Sequence, residues 1–302
     1  MSLRPILQSG KFIVTGEVGP PKGTDLSHVL EETKLLTPLV DAINVTDIQA
    51  AAMRLGSMAT CHLMKDLGAE PVLQMVTRDR NRLALQSDLL SAWALGIENV
   101  LCLTGDHPIL GDHRAAKPVY DLDSVQLLAA AKGLNEGHDM MGNELEGKPD
   151  FCLGAVVSPG ATPLELQILK LEKKVAAGAE FIQTQAVYDV NMFAEFMNKV
   201  SHLKVPILAG VVVLKNAGMA RYMNANVAGV TVPDDLIKRL SAAGAADKQA
   251  KEEGKKGGNV VAASIEIAAQ LIRDFKPLCR GVHIMPLGWG HHVPKILEAA
   301  AV

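Results

Sequence analysis

The chain has 302 residues, 48% of them hydrophobic and 21% charged, enough to bury a full core in a single α/β domain. Lys and Arg number 30 against 33 Asp and Glu, a formal net charge of -3, and aromatics make up 4%, which excludes a basic, aromatic-studded nucleic-acid surface. Cys61, Cys102, Cys152 and Cys279 lie far apart with no C-x-x-C pair and no apolar run reaches spanning length, so a cytoplasmic protein without disulfides, zinc knuckle or membrane span is expected.

The first strong element is K-F-I-V-T-G-E-V-G-P-P-K-G at 11–23. Its β-branched run predicts a buried strand over 12–18, stopped by Gly19, Pro20 and Pro21. A helix follows over 25–39 with Thr24 or Asp25 as N-cap, then a strand over 42–46 and a helix over 57–67 closed by Gly68. Next come a strand over 71–77, a helix over 80–95, and a strand over 99–103 that runs into T-G-D-H-P. A long loop covers 107–122, a helix 124–134 and another loop 137–149.

A strand is predicted over 151–157 and a helix over 163–177, with Thr162 as N-cap, Pro163 at the first helical position and Gly178 as the stop. A strand over 181–187, a helix over 190–203 and a strand over 206–213 continue the alternation. Helical pieces follow at 217–224 and 233–243. The stretch D-K-Q-A-K-E-E-G-K-K-G-G-N at 247–259 reads as a charged, Gly-rich surface loop or a frayed helix end. An amphipathic helix over 260–275, a strand over 281–285 and a helix over 293–300 complete the chain. Eight near-continuous apolar strands alternating with helices predict a (βα)₈ TIM barrel in one domain. A doubly wound open sheet is the second architecture, and no G-x-G-x-x-G follows the first strand to favour it.

In such a barrel the chemistry lies where the strands end. Glu17 and Asp106 are the acids at the ends of separate strands that are flanked by Gly, and a carboxylate at the end of a buried strand is costly unless it has a task or a partner. F-I-Q-T-Q-A-V-Y places Gln183 and Gln185 on one side of a strand, at its period of two. They either satisfy each other and the backbone or face a ligand with an amide-like edge. His291 and His292, in G-W-G-H-H with Trp289, read as surface residues or as a cover of the barrel mouth. No H-E-x-x-H or other set at metal spacing is present, so no metal site is expected.

Together these residues carry a resemblance. G-E-V-G-P-P-K near the start, N-V-T in the second strand, L-T-G-D-H-P after the fourth, and K-K-V-A-A-G-A-E-F-I-Q-T-Q across the fifth helix and sixth strand resemble the methylenetetrahydrofolate reductase family. The resemblance implies a flavin-bearing (βα)₈ barrel that interconverts methylenetetrahydrofolate and methyltetrahydrofolate. Catalysis would fall to Glu17, the general acid that protonates the leaving nitrogen as the five-membered ring opens, and to Asp106, placed by flavin and pterin. Gln185 would bind the pterin, with Glu17 and Asp106, and Thr46, Tyr120 and Lys174 would contact the flavin.

Gln74 and Thr104, beside Gly105, stand where many members carry His and Arg at the flavin, which implies altered contacts and FAD with FMN as the alternative. Ala217 stands near the place of the aromatic that stacks on nicotinamide, which implies electrons from a partner subunit, an iron–sulfur or flavin protein, in a homo- or hetero-oligomer. The competing readings are a pterin-binding methyltransferase barrel without flavin and a non-catalytic barrel subunit of a redox complex.

Overall fold

The computed structural model describes residues 2–302. Eight parallel strands close on themselves in sequence order: β1 (Ile13–Val18), β2 (Ala42–Val45), β3 (Pro71–Val76), β4 (Asn99–Leu103), β5 (Cys152–Val157), β6 (Phe181–Ala186), β7 (Ile207–Val212) and β8 (Gly281–Met285). The ring is sealed by β1 pairing with β8, Thr15 opposite His283. The outer layer is α2 (Ser27–Leu36), α3 (Ser57–Lys65), α4 (Arg82–Ala94), α5 (Ser124–Glu136), α6 (Leu164–Ala176), α7 (Val190–Lys199), α8 (Ala217–Asn226), α9 (Asp234–Glu252), α10 (Asn259–Phe275) and α11 (Val293–Ala300). This is the single-domain (βα)₈ TIM barrel expected from the alternation.

The barrel interior is layered by residue chemistry. Its floor is apolar: Ile13, Ala42, Val72, Leu101, Cys152, Phe181 and Leu208 pack together. A short helix, α1 (Arg4–Gln8), plugs this end, placing Leu3 and Leu7 in the same cluster, while Arg4 pairs with Asp150 and Glu180. Phe181 fills the space opposite Gly154, where a Cβ would lie 2.2 Å from its ring tip, so β5 must carry glycine at that point. Above the floor sits a buried polar layer of Thr15, Asn44, Gln183 and His283. Gln183 exchanges hydrogen bonds with Asn44 at 2.7 and 3.1 Å and donates to Thr15 Oγ1 at 3.4 Å. Each amide is thereby satisfied without water.

The stretch 247–259, expected as a charged surface loop or a frayed helix end, divides between the end of α9, which runs through Glu252, and a connection over 253–258 that leads into α10. Asp247 ties the two, its carboxylate accepting from the backbone N–H of Gly258, Asn259 and Val260 and so capping α10 across the turn. One local expectation is corrected. Helix α6 begins at Leu164; Pro163, extended at φ -77° and ψ 139°, occupies the N-cap position expected for Thr162, and no side chain caps that end.

Candidate functional site

The C-terminal ends of the strands surround a cavity of 820 Å³, within the size range of ligand pockets. Glu17, Gln74, Thr104, Gly105, Asp106, Lys174 and Gln185 all line it. Thr46 and Tyr120 lie outside that lining. Thr46 is buried against the loop at Gly19, and its Oγ1 has no hydrogen-bond partner among the described residues. Tyr120, held at φ +42°, donates from its hydroxyl to Gly105 O at 3.4 Å. A smaller cavity of 320 Å³ lies at the opposite end of the barrel beside Lys11 and Lys276, away from the polar strand ends.

Glu17 is held at the base of the main cavity. β1 carries it inward, two positions beyond Thr15, and leaves it 8% exposed. Its Oε2 accepts from Gln74 Nε2 at 3.3 Å and lies 3.5 Å from His283 Nε2. The other ring nitrogen of His283 is 2.9 Å from Thr15 Oγ1. His283 therefore links the carboxylate to the polar layer beneath and fixes where it stands. This histidine was not singled out in the sequence, yet a polar residue alternating with Val282 and Ile284 in β8 is the same period-two signal that marked the glutamines.

Asp106 is exposed at the rim. The buried Arg78, also not anticipated, donates from Nη1 to the Asp106 carbonyl at 3.0 Å and from Nη2 to Ile48 O at 3.3 Å, tying together the loops after β2, β3 and β4. Gly105 sits at φ +87°, with Val76 3.0 Å and Arg78 3.2 Å from where a Cβ would lie, so only glycine lets the chain turn there. Thr104 Oγ1 accepts from the backbone N–H of Ser124 at 3.3 Å. Gln183 and Gln185 do not satisfy each other: Gln183 belongs to the layer below, and Gln185, which lines the cavity, accepts from its neighbour's N–H, Ala186, at 2.9 Å.

One wall is cationic. α6 turns Lys170, Lys173 and Lys174 to the cavity, the i, i+3, i+4 spacing that places three residues on one helix face. Lys174 is buried and donates to Val156 O at 2.6 Å. Burial, and then the neighbouring Lys170 charge, pull its ammonium down to about 8. Such a wall suits the phosphates of a nucleotide cofactor, and the cavity volume leaves room for ring systems beside Glu17. The side chains present thus fit a flavin and a pterin together.

Residues 2–301 match the family model described as methylenetetrahydrofolate reductase. Methylenetetrahydrofolate reductase 2 of Schizosaccharomyces pombe is 25% identical over 243 residues, which cover 75% of this chain and 35% of that protein. A probable methylenetetrahydrofolate reductase (NADH) of Oryza sativa subsp. japonica is 34% identical over 134 residues, 40% of this chain and 21% of that protein. The chain therefore matches about a third or less of the length of these relatives. A Clostridium thermocellum protein, described as binding two copies of 5-methyl-5,6,7,8-tetrahydrofolic acid, shares the fold over 100% of this chain and 98% of its own, with a TM-score of 0.63 at 15% identity. With 2–301 of its described residues 2–302 matched by the family model and its polar strand ends gathered around one cavity, the chain belongs to the methylenetetrahydrofolate reductase family.

Proposed function

We propose that this barrel is a flavin-dependent oxidoreductase that interconverts methylenetetrahydrofolate and methyltetrahydrofolate. The observation that carries the reading is the buried carboxyl of Glu17 at the base of a cavity whose opposite wall is lysine-rich. The flavin, when bound, supplies the hydride exchange with the folate's one-carbon unit. Glu17 gives a proton to the leaving nitrogen as the five-membered ring opens and takes it back as the ring closes. His283 and Gln74 hold that carboxyl in place. Asp106 and the amide nitrogen of Gln185, two strands apart around the cavity rim, orient the pterin by hydrogen bonds. Lys170, Lys173 and Lys174 hold phosphate, and the FAD or FMN identity follows from how much of the wall it covers. The lysine wall favours this reading over a pterin barrel without flavin.

Electrons are proposed to come from a partner protein with an iron–sulfur or flavin centre. Ala217 opens α8 with its small side chain buried, so no aromatic platform stands there. Trp289 does not replace it: its ring meets His292 edge-on at 5.0 Å, lies under Lys215 Nζ at 5.6 Å, and is absent from the main cavity lining. Without a stacking surface a nicotinamide ring is poorly oriented for transfer. Exposed Met53, Ile109 and Leu110, on loops that pack together at the rim, offer an apolar landing for such a partner.

The absorption spectrum of the purified protein tests the cofactor: a yellow protein that releases a flavin on denaturation is expected, and a colourless one that neither FAD nor FMN reconstitutes contradicts it. Rapid mixing with NADH or NADPH tests the donor: slow reduction of the bound flavin is expected, and reduction as fast as folate turnover refutes the partner.

A further inference from the structure

The loop after β2 holds three residues with a Cβ in left-handed backbone: Ile48 at φ +47°, Ala50 at +54° and Ala51 at +55°. That region disfavours any side chain, a β-branched one most, and D-I-Q-A-A-A-M at 47–53 has no glycine to relieve it. Strain of this kind persists only where surrounding groups over-determine the chain. Three polar anchors do so. Asp47, buried at the start of the segment, accepts from the Val76 N–H at 2.9 Å and pairs with Arg80 at 2.7 Å. Asp112 takes the Met53 N–H at 3.0 Å at its end. Between them Arg78 donates from Nη2 to the Ile48 carbonyl at 3.3 Å, inside the strained stretch itself.

The same guanidinium holds a second edge of the cavity. Nη1 donates to the Asp106 carbonyl at 3.0 Å, while Nε and Nη2 reach the Asp79 carboxylate at 3.0 and 2.8 Å, which balances the buried charge. A planar fork with five N–H donors spans two loops and a carboxylate at once; a lysine ammonium, a single point on a flexible stem, does not. Ile48, Gln49, Ala50 and Asp106 all line the main cavity. The barrel closes without this link, since the β2–β3 and β3–β4 ladders end at Val45–Leu73 and Val76–Leu103, before it. We propose that Arg78 is a positioning residue for the redox reaction. It locks the strained 48–51 segment to the Gly105–Asp106 turn as one rigid edge, so that Asp106 meets the pterin in a fixed place. The proposal rests on the folate and flavin reading of the main cavity and adds the support that Asp106 needs.

Hydrogen–deuterium exchange of the ligand-free protein reads the segment, and anaerobic reduction of the bound flavin by methyltetrahydrofolate reads the reaction. The amides of Ala51, Ala52 and Met53 are bonded to Ile48 O, Gln49 O and Asp112. In Arg78→Lys they should exchange about 10- to 100-fold faster, with the strand amides of β2, β3 and β4 unchanged. Flavin reduction at saturating folate should slow by about 10- to 100-fold, the cost of a misplaced reacting geometry, while the folate dissociation constant moves much less. Adding Ala50→Gly, which relieves the left-handed backbone, should recover part of both losses. Unchanged exchange over 48–53 overturns the proposal, and so does a wild-type reduction rate in a protein whose segment has loosened. Protection lost throughout β2, β3 and β4, with no recovery from Ala50→Gly, also overturns it and makes Arg78 a residue of the fold alone. A wild-type flavin that methyltetrahydrofolate never reduces overturns the folate reading itself and leaves the exchange result standing.

Discussion

Replacing Glu17 by Gln isolates its proton from its shape. The side chain is 8% exposed, accepts from Gln74 and faces His283. A glutamine keeps the volume and one acceptor oxygen, so the fold should lose no more than about 1 kcal/mol, the worth of one weakened hydrogen bond. The ring opening of methylenetetrahydrofolate, by contrast, loses its acid. General acid catalysis contributes about 10²- to 10⁴-fold, or roughly 3 to 5 kcal/mol of barrier. The assay is oxidation of chemically reduced, protein-bound flavin by methylenetetrahydrofolate under anaerobic rapid mixing. The variant should bind the folate and react slower by that factor. Reduction of the flavin by methyltetrahydrofolate, which requires no ring opening before transfer, should suffer much less. Equal slowing in both directions would mean that Glu17 positions the substrate without moving a proton. A wild-type rate with methylenetetrahydrofolate would remove it from the mechanism.

Lys174→Met should raise the melting temperature and lower flavin affinity, because a buried ammonium held down to about 8 burdens the empty fold while serving an anion. The sign follows from its lowered value. Below pH about 8 the lysine is charged in both folded and unfolded states, so its burial cost is fully present there, and that cost is relieved as pH rises towards its unfolded value. Flavin affinity should run the other way, falling above pH about 8 as the lysine loses its charge, which fluorescence titration across that range will read. Gly154→Ala should destabilise the fold by about 1 to 3 kcal/mol in urea denaturation, since the new methyl would overlap Phe181. Asp247→Asn should lower the melting temperature near neutral pH and flatten its acid dependence. The carboxylate is held at about 2 by three backbone N–H groups, so its contribution is present above its unfolded value near 4 and is lost as pH falls through about 2.

The barrel was legible because parallel strands buried on both faces must be continuous apolar runs, and residues 12–18 and 151–157 are of that kind. The acids at the cavity were legible for the complementary reason: Glu17 and Asp106 break the apolar pattern where a strand ends. What escaped was pairing across the barrel. His283 lies 266 residues from Glu17, and nothing local in G-V-H-I-M says that its ring reaches β1. Arg78 looks like a loop residue in T-R-D-R, and its burial follows only from three loops converging on it. The charged stretch at 247–259 was legible as a loop or helix end, but not the single aspartate whose carboxylate accepts from its glycine and asparagine N–H groups.

The central claim is that this cavity brings a folate's one-carbon unit to a bound flavin. Anaerobic mixing of the flavin-loaded protein with methyltetrahydrofolate, followed by the flavin's visible absorbance, tests it most directly. The account predicts full bleaching with formation of methylenetetrahydrofolate and no need for NADH, NADPH or a second protein. Tight binding of both flavin and methyltetrahydrofolate with no change in the flavin spectrum would contradict it.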